Sequence, residues 1–98
     1  MRRITKTILS ARVDDLNDAL NLPREPYAAE RDAAGRLVTN AGTFVLDWAY
    51  GGVMLSRMCE GGGQRDISGR GTSRECWVFV NAMLAGIYAA RAADKAGA

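Results

Sequence analysis

The chain is 98 residues long and 48% hydrophobic, enough for one small domain with a single core and too little for two. Lysine and arginine total 13 against 11 acids, a formal charge of +2, so no overall charge excess marks a polyanion binder. No histidine is present, which excludes histidine-based triads, histidine acid–base chemistry and histidine-ligated metals.

From the N-terminus, Arg2, Arg3, Lys6 and Arg12 come with no acid among them, and Asp14, Asp15, Asp18, Glu25, Glu30 and Asp32 follow with only Arg24 and Arg31 interspersed. Ile4, Ile8, Leu9, Val13, Leu16 and Leu20 recur at spacings of three to five, the stripe of an amphipathic helix starting near Thr5 and ending before Pro23. Pro23 and Pro26 predict an extended connector to Tyr27, and Asp32-Ala33-Ala34-Gly35 predicts a turn. A short strand is expected around Arg36 to Asn40.

Phe44, Leu46, Trp48 and Tyr50 alternate with Val45, Asp47 and Ala49, the two-residue period of a strand. With Gly51-Gly52 as a hairpin loop, Tyr50 faces Val53, Trp48 faces Leu55, Leu46 faces Arg57 and Phe44 faces Cys59. That side, Arg57 apart, is apolar and should meet the helices, with Trp48, Tyr50 and Trp77 read as core rather than stacking platforms. Val45, Asp47, Ala49, Met54, Ser56 and Met58 form a mixed opposite face for water or a partner, Met54 and Met58 being either an adaptable patch or support for a covering loop.

Glu60 to Glu75 gathers five of the eleven glycines with Arg65, Arg70 and Arg74, and reads as a flexible cationic loop. Gly61-Gly62-Gly63 lacks the lysine-serine or lysine-threonine ending of a nucleotide P-loop. Thr72-Ser73-Arg74-Glu75 matches a capping box, so a helix should begin at Ser73 and carry Cys76, Val80, Met83, Leu84 and Ile87 inward, widened by Trp77, Phe79 and Tyr88. The expected fold is α+β, a single domain over 1–98 ordered α-β-β-β-α, an antiparallel sheet packed on two helices with 1–4 and 92–98 frayed.

Cys59 and Cys76 sit in apolar company and read as reduced thiols. Two cysteines without histidine do not make a usual structural zinc site, and no cofactor or metal is expected. Asp14 and Asp18 lie one helical turn apart, a spacing open to paired-carboxylate chemistry but more typical of a solvated face, so no catalytic residue is assigned. Neither end shows an apolar run expected to insert in a bilayer, nor a signal-peptide core, so a cytoplasmic location without membrane contact is expected.

Two charged surfaces are candidates for partner binding. Arg57, Arg65, Asp66, Arg70 and Arg74 form the first, where Arg70 and Arg74 stand beside the free amides of a helix start, although pairing of the arginines with Asp66, Glu60 and Glu75 is the plainer alternative. Asp14, Asp15, Asp18 and Glu25 form the second.

The strings FVLDWAYGGVMLSRMCEGGGQRDIS and GRGTSRECWVFVNAMLAGI, with RRIT and LNDALNLPREPY before them, resemble a family of small phage and prophage proteins of uncharacterised function over nearly the whole chain. Its recurring elements fall on Phe44 to Tyr50, Gly51-Gly52, Gly61-Gly62-Gly63 and Arg74-Glu75. Cys59 and Glu60 depart from it where a more polar strand end is usual, and Trp77 where tyrosine is. The resemblance implies no biochemical activity but a phage context, in which small proteins without catalytic residues commonly bind and block or redirect a host machine. The expectation is therefore a non-enzymatic phage-encoded inhibitor, acting in the host cytoplasm on a host defence protein or ribonucleoprotein, with an anti-CRISPR action on a Cas complex and its guide RNA as one form. The acidic run would then imitate nucleic acid against a basic channel, or the arginines would grip guide RNA or an acidic protein face. The alternatives are a nucleic-acid module with the element order of double-stranded RNA-binding domains and a structural phage component; the oligomeric state is left open.

Overall fold

The computed structural model describes residues 3–97, which form α1 (Lys6–Ala19), β1 (Phe44–Ala49), β2 (Gly52–Met58), β3 (Gln64–Gly71) and α2 (Ser73–Gly97). The strands make one antiparallel sheet in the order β1-β2-β3. Both helices lie on one side of it, where Leu9, Val13 and Leu16 meet Phe44, Val53 and Leu55 together with Cys76, Val80 and Leu84. The expected α-β-β-β-α domain is therefore present.

Local chemistry sets the helix ends. The Thr5 side chain accepts the Ile8 amide and starts α1. At its other end Asn21 takes φ +55°, the Asn21 amide reaches the Asp18 carbonyl and the Leu22 amide reaches Asn17, the paired bonds of a Schellman cap. Thr72 and Glu75 close the expected capping box, with Glu75 N–H on Thr72 Oγ1 at 3.1 Å and Thr72 N–H on Glu75 Oε1 at 3.0 Å.

The third strand differs from expectation. Residues 36–40 do not join the sheet; they fold back on the connector through a single Tyr27–Thr39 bridge and the bonds Ala28 N–H to Val38 O and Asn40 N–H to Pro26 O. Proline has no amide to give, so this arm cannot extend its ladder, and Asp32 closes its tip by accepting the Ala34 and Arg36 amides. The sheet is completed instead by Gln64–Gly71, the segment expected as loop, and only Cys59 to Gly63 is a turn, held by Cys59 N–H on Gly63 O and Gly62 N–H on Cys59 O.

The hairpin register also differs. Ala49 pairs with Gly52, so the loop is Tyr50-Gly51 and the true partners are Trp48–Val53, Leu46–Leu55 and Phe44–Arg57. The slip is by an even number, so each side chain keeps its expected face. Gly52 is held in the strand by close approach: a Cβ there would stand 2.1 Å from the Gly71 carbonyl oxygen. Trp48 and Tyr50 are consequently carried past the helices, 39% and 106% exposed, whereas Trp77 packs against the core. On the opposite face Ser56 and Met58 are buried and Met54 half-buried.

Ile4 is buried against α1 and regular helix continues through the alanine-rich segment to Gly97, where frayed ends were expected; Met1, Arg2 and Ala98 lie outside the described residues. By length and composition α2 meets the requirement for a bilayer-crossing helix, with mean hydropathy 1.3, although no such run is expected from the sequence. Its Cys76, Val80 and Leu84 nevertheless belong to the core.

Candidate functional site

The first charged candidate does not form a loop. Arg57 lies on β2, Arg65 and Arg70 near opposite ends of β3, and Arg74 in the first turn of α2. Arg70 spans the outer sheet face to Asp47, at 3.3 Å from its carboxylate, and donates to the Asp47 and Gly52 carbonyls at 3.0 and 3.2 Å. It ties the three strands together while remaining exposed.

Asp66 is likewise structural. Between the pairs Met54–Arg70 and Ser56–Asp66 one residue of β2 faces three of β3, a bulge in which Asp66 accepts the Gly69 amide at 2.7 Å and Ser68 Oγ takes the Leu55 amide at 2.9 Å. Arg57 gives its Nε to the Gly42 carbonyl at 2.8 Å and lies 4.9 Å over the Phe44 ring. Arg74 is half-buried and engaged. Arg65, the cross-strand neighbour of Arg57, is exposed, and its side chain has no ion pair or hydrogen bond among the described residues.

The acidic candidate is neutralised from within. Arg24 holds Asp18 bidentately at 2.6 and 3.0 Å and reaches Asp14 at 3.8 Å, while Arg12 pairs with Asp15 at 3.1 Å and also bonds the Asn81 side chain. The Arg24 hydrogen bond, chiefly, lowers the Asp18 pKa and raises that of the guanidinium. Glu25 is exposed and its backbone carbonyl accepts Asn40 Nδ2 at 2.9 Å. Asp14, Asp15 and Asp18 are thus paired with arginines of the same chain while remaining partly exposed.

The thiols are unbridged; Cys76 packs in the core, and burial, chiefly, pushes its thiol up against the opposing bonds to Ser68 and the Leu55 amide. Among the described residues no group of three potential metal ligands occurs.

What the structure does assemble is a groove of about 290 Å³ along the free edge of β1, lined by Ser10, Val13 and Asp14 of α1, Arg24 and Pro26 of the connector, and Phe44, Val45, Leu46 and Trp48. Sequence reasoning did not find Asn17, which closes the first rung of this edge. This buried amide donates Nδ2–H to the Phe44 carbonyl at 2.9 Å and accepts the Phe44 amide on Oδ1 at 2.8 Å, filling the place of a neighbouring strand for one rung. The available signal was an amide four residues after Val13, inside the apolar stripe of α1. Above the groove's far end Lys6 Nζ stands 5.2 Å from the Trp48 ring centre, and Tyr50 is fully exposed at the hairpin tip.

No family of known proteins, no curated protein and no solved structure matches the chain.

Proposed function

We propose that this is a non-enzymatic, phage-encoded interaction protein that inhibits a host defence machine in the host cytoplasm, a Cas ribonucleoprotein being the first target class to test, and that it docks through aromatic surface rather than charge. The observation that carries the docking mode is Tyr50, wholly exposed beside a 39% exposed Trp48 on a turn built from backbone bonds. Tyrosine and tryptophan are enriched at the centres of protein interfaces because they bury large area with few torsions to freeze. The internal pairing of Arg70 with Asp47, and of Arg24 with Asp14 and Asp18, supports the same choice. The phage and host context rests on the resemblance of the sequence to small phage proteins.

The test is expression of the chain in a host whose CRISPR interference is active against an infecting virus. Wild type is expected to raise plating efficiency by orders of magnitude, Arg65→Glu to preserve that gain and Tyr50→Asp to abolish it with folding intact. No gain from wild type sinks the Cas target class; loss with Arg65→Glu but not with Tyr50→Asp sinks aromatic docking.

A second reading, a nucleic-acid-binding module, draws on the adjacent guanidiniums of Arg57 and Arg65. Tight binding of purified protein to generic duplex RNA, with an affinity that falls steeply as salt rises, would put it first.

A further inference from the structure

The outer edge of β1 is an incomplete ladder. The Thr43 carbonyl accepts the Met58 amide at 2.8 Å, so odd-numbered residues of this strand turn their backbone groups toward β2 and even-numbered ones turn theirs away from it. Phe44 follows the rule: its N–H and C=O point outward and both are taken by Asn17. Leu46 and Trp48 come next at intervals of about 7 Å, and their outward N–H and C=O groups have no partner among the described residues.

The groove occupies the position a further strand would take. Val13, Leu46 and Pro26 line it together with Asp14 and Arg24; Phe44, whose outward groups Asn17 takes, stands toward one end and Trp48, under the Lys6 ammonium, toward the other. The opposite edge of the sheet is protected by a bulge, Gly69 and charged side chains, the usual defences against strand addition. The β1 edge has no bulge; Asn17 closes its Phe44 rung, and the rungs at Leu46 and Trp48 stay open beside Asp14 and Arg24.

From this we infer that β1 is a strand-addition site for an extended peptide of a partner protein. Leu46 and Trp48 supply two rungs of main-chain hydrogen bonds, Asn17 blocks further growth, and the peptide places apolar side chains against Val13 and Leu46 and an acidic side chain beside Lys6. A compact ligand would leave the aligned amides and carbonyls unmet; an extended backbone satisfies both at each rung.

The inference deepens the adhesive reading and rests on it for its biology, but its experiment reads the edge directly, so either can fail alone. The uniformly ¹⁵N-labelled full chain is titrated with a synthetic decapeptide alternating valine and threonine and ending in glutamate. The Leu46 and Trp48 amide signals are expected to shift and their hydrogen exchange to slow by roughly tenfold or more, whereas Val45 and Asp47, already bonded to β2, stay as they were. Ser10→Trp, which fills the groove from α1, should weaken the complex at least about tenfold, and Lys6→Glu should weaken it for the glutamate-ended peptide only.

Unchanged Leu46 and Trp48 signals at millimolar peptide overturn the inference. So does equal binding of a peptide N-methylated on its bonding edge, because the contact would then not be backbone. Protection of these amides that rises with protein concentration, together with a dimer mass and no peptide, assigns the edge to a second copy and also overturns it.

Discussion

At the scale of single residues, Asn17 and Ser56 show how burial of a polar group is decided by its partners. Both are fully buried. Asn17 satisfies the amide and the carbonyl of Phe44 at once, while Ser56 Oγ has no partner among the described residues. Asn17→Leu strands two backbone groups, each costing about 1–3 kcal/mol, against a small gain in apolar burial. The expected loss is about 2–4 kcal/mol, a fall in Tm of more than roughly 8 °C for a domain of this size. Ser56→Ala removes an orphaned hydroxyl and is expected to leave Tm unchanged or raise it. Thermal unfolding of the two variants decides: an Asn17→Leu protein as stable as wild type would mean that the Phe44 groups find water, and that the Phe44 rung is as open as those of Leu46 and Trp48.

At the scale of elements, the start of α2 is a carboxylate–amide device and carries a pH dependence. The Thr72 backbone amide, chiefly, and the Thr72 hydroxyl hold the Glu75 carboxyl below its ordinary value of 4.5. A folded-state pKa lowered in this way adds stability that is present above the unfolded value and lost as pH falls through the folded one. Arg24 does the same for Asp18. Tm should therefore decline below about pH 4.5, and Glu75→Gln, whose amide oxygen can still accept the Thr72 N–H, should flatten that decline without abolishing it, since Asp18 remains. Parallel Tm–pH curves for the two proteins would remove the carboxylate from the cap. This helix was legible in the sequence because its chemistry is confined to four consecutive residues, and α1 because Thr5 and an apolar stripe declare it. The turn at 32–35 was legible, but the pairing of the arm at 26–40 and the strand β3 were not: Gly69, Gly71, Ser68 and Asp66 have the composition of a loop, and it is the pairing of their segment with residues 53–58 of β2 that makes them a strand. The internal pairing of the charged candidates was hidden for the same reason. Asp47 and Arg70 are twenty-three positions apart, and no local pattern announces that they meet.

At the scale of the whole molecule, the chain is a plate of 45 × 42 × 20 Å with a radius of gyration of 15.1 Å, against about 13 Å for a compact domain of this length. Two helices cover one face of three strands and no helix covers the other, so the apolar side chains divide into a small core and a displayed set. Leu55 and Trp48 stand on the same sheet face and mark that division. Leu55, on the central strand, is 0% exposed, and cutting it to alanine should cost about 2–5 kcal/mol, a large share of the 5–15 kcal/mol typical of a domain. Trp48 is the larger side chain, yet the Tyr50-Gly51 turn carries it beyond the helices; Trp48→Ala should cost about 1 kcal/mol, well below the 3–5 kcal/mol of a buried tryptophan. The reverse holds for binding, where Trp48→Ala should lose both the inhibition and the peptide while a conservative Leu55→Met keeps them. Chemical denaturation beside the cellular and peptide assays separates the two effects: if Trp48→Ala unfolds the protein as readily as Leu55→Ala, the tryptophan is a core residue and the displayed surface is smaller than the adhesive reading requires.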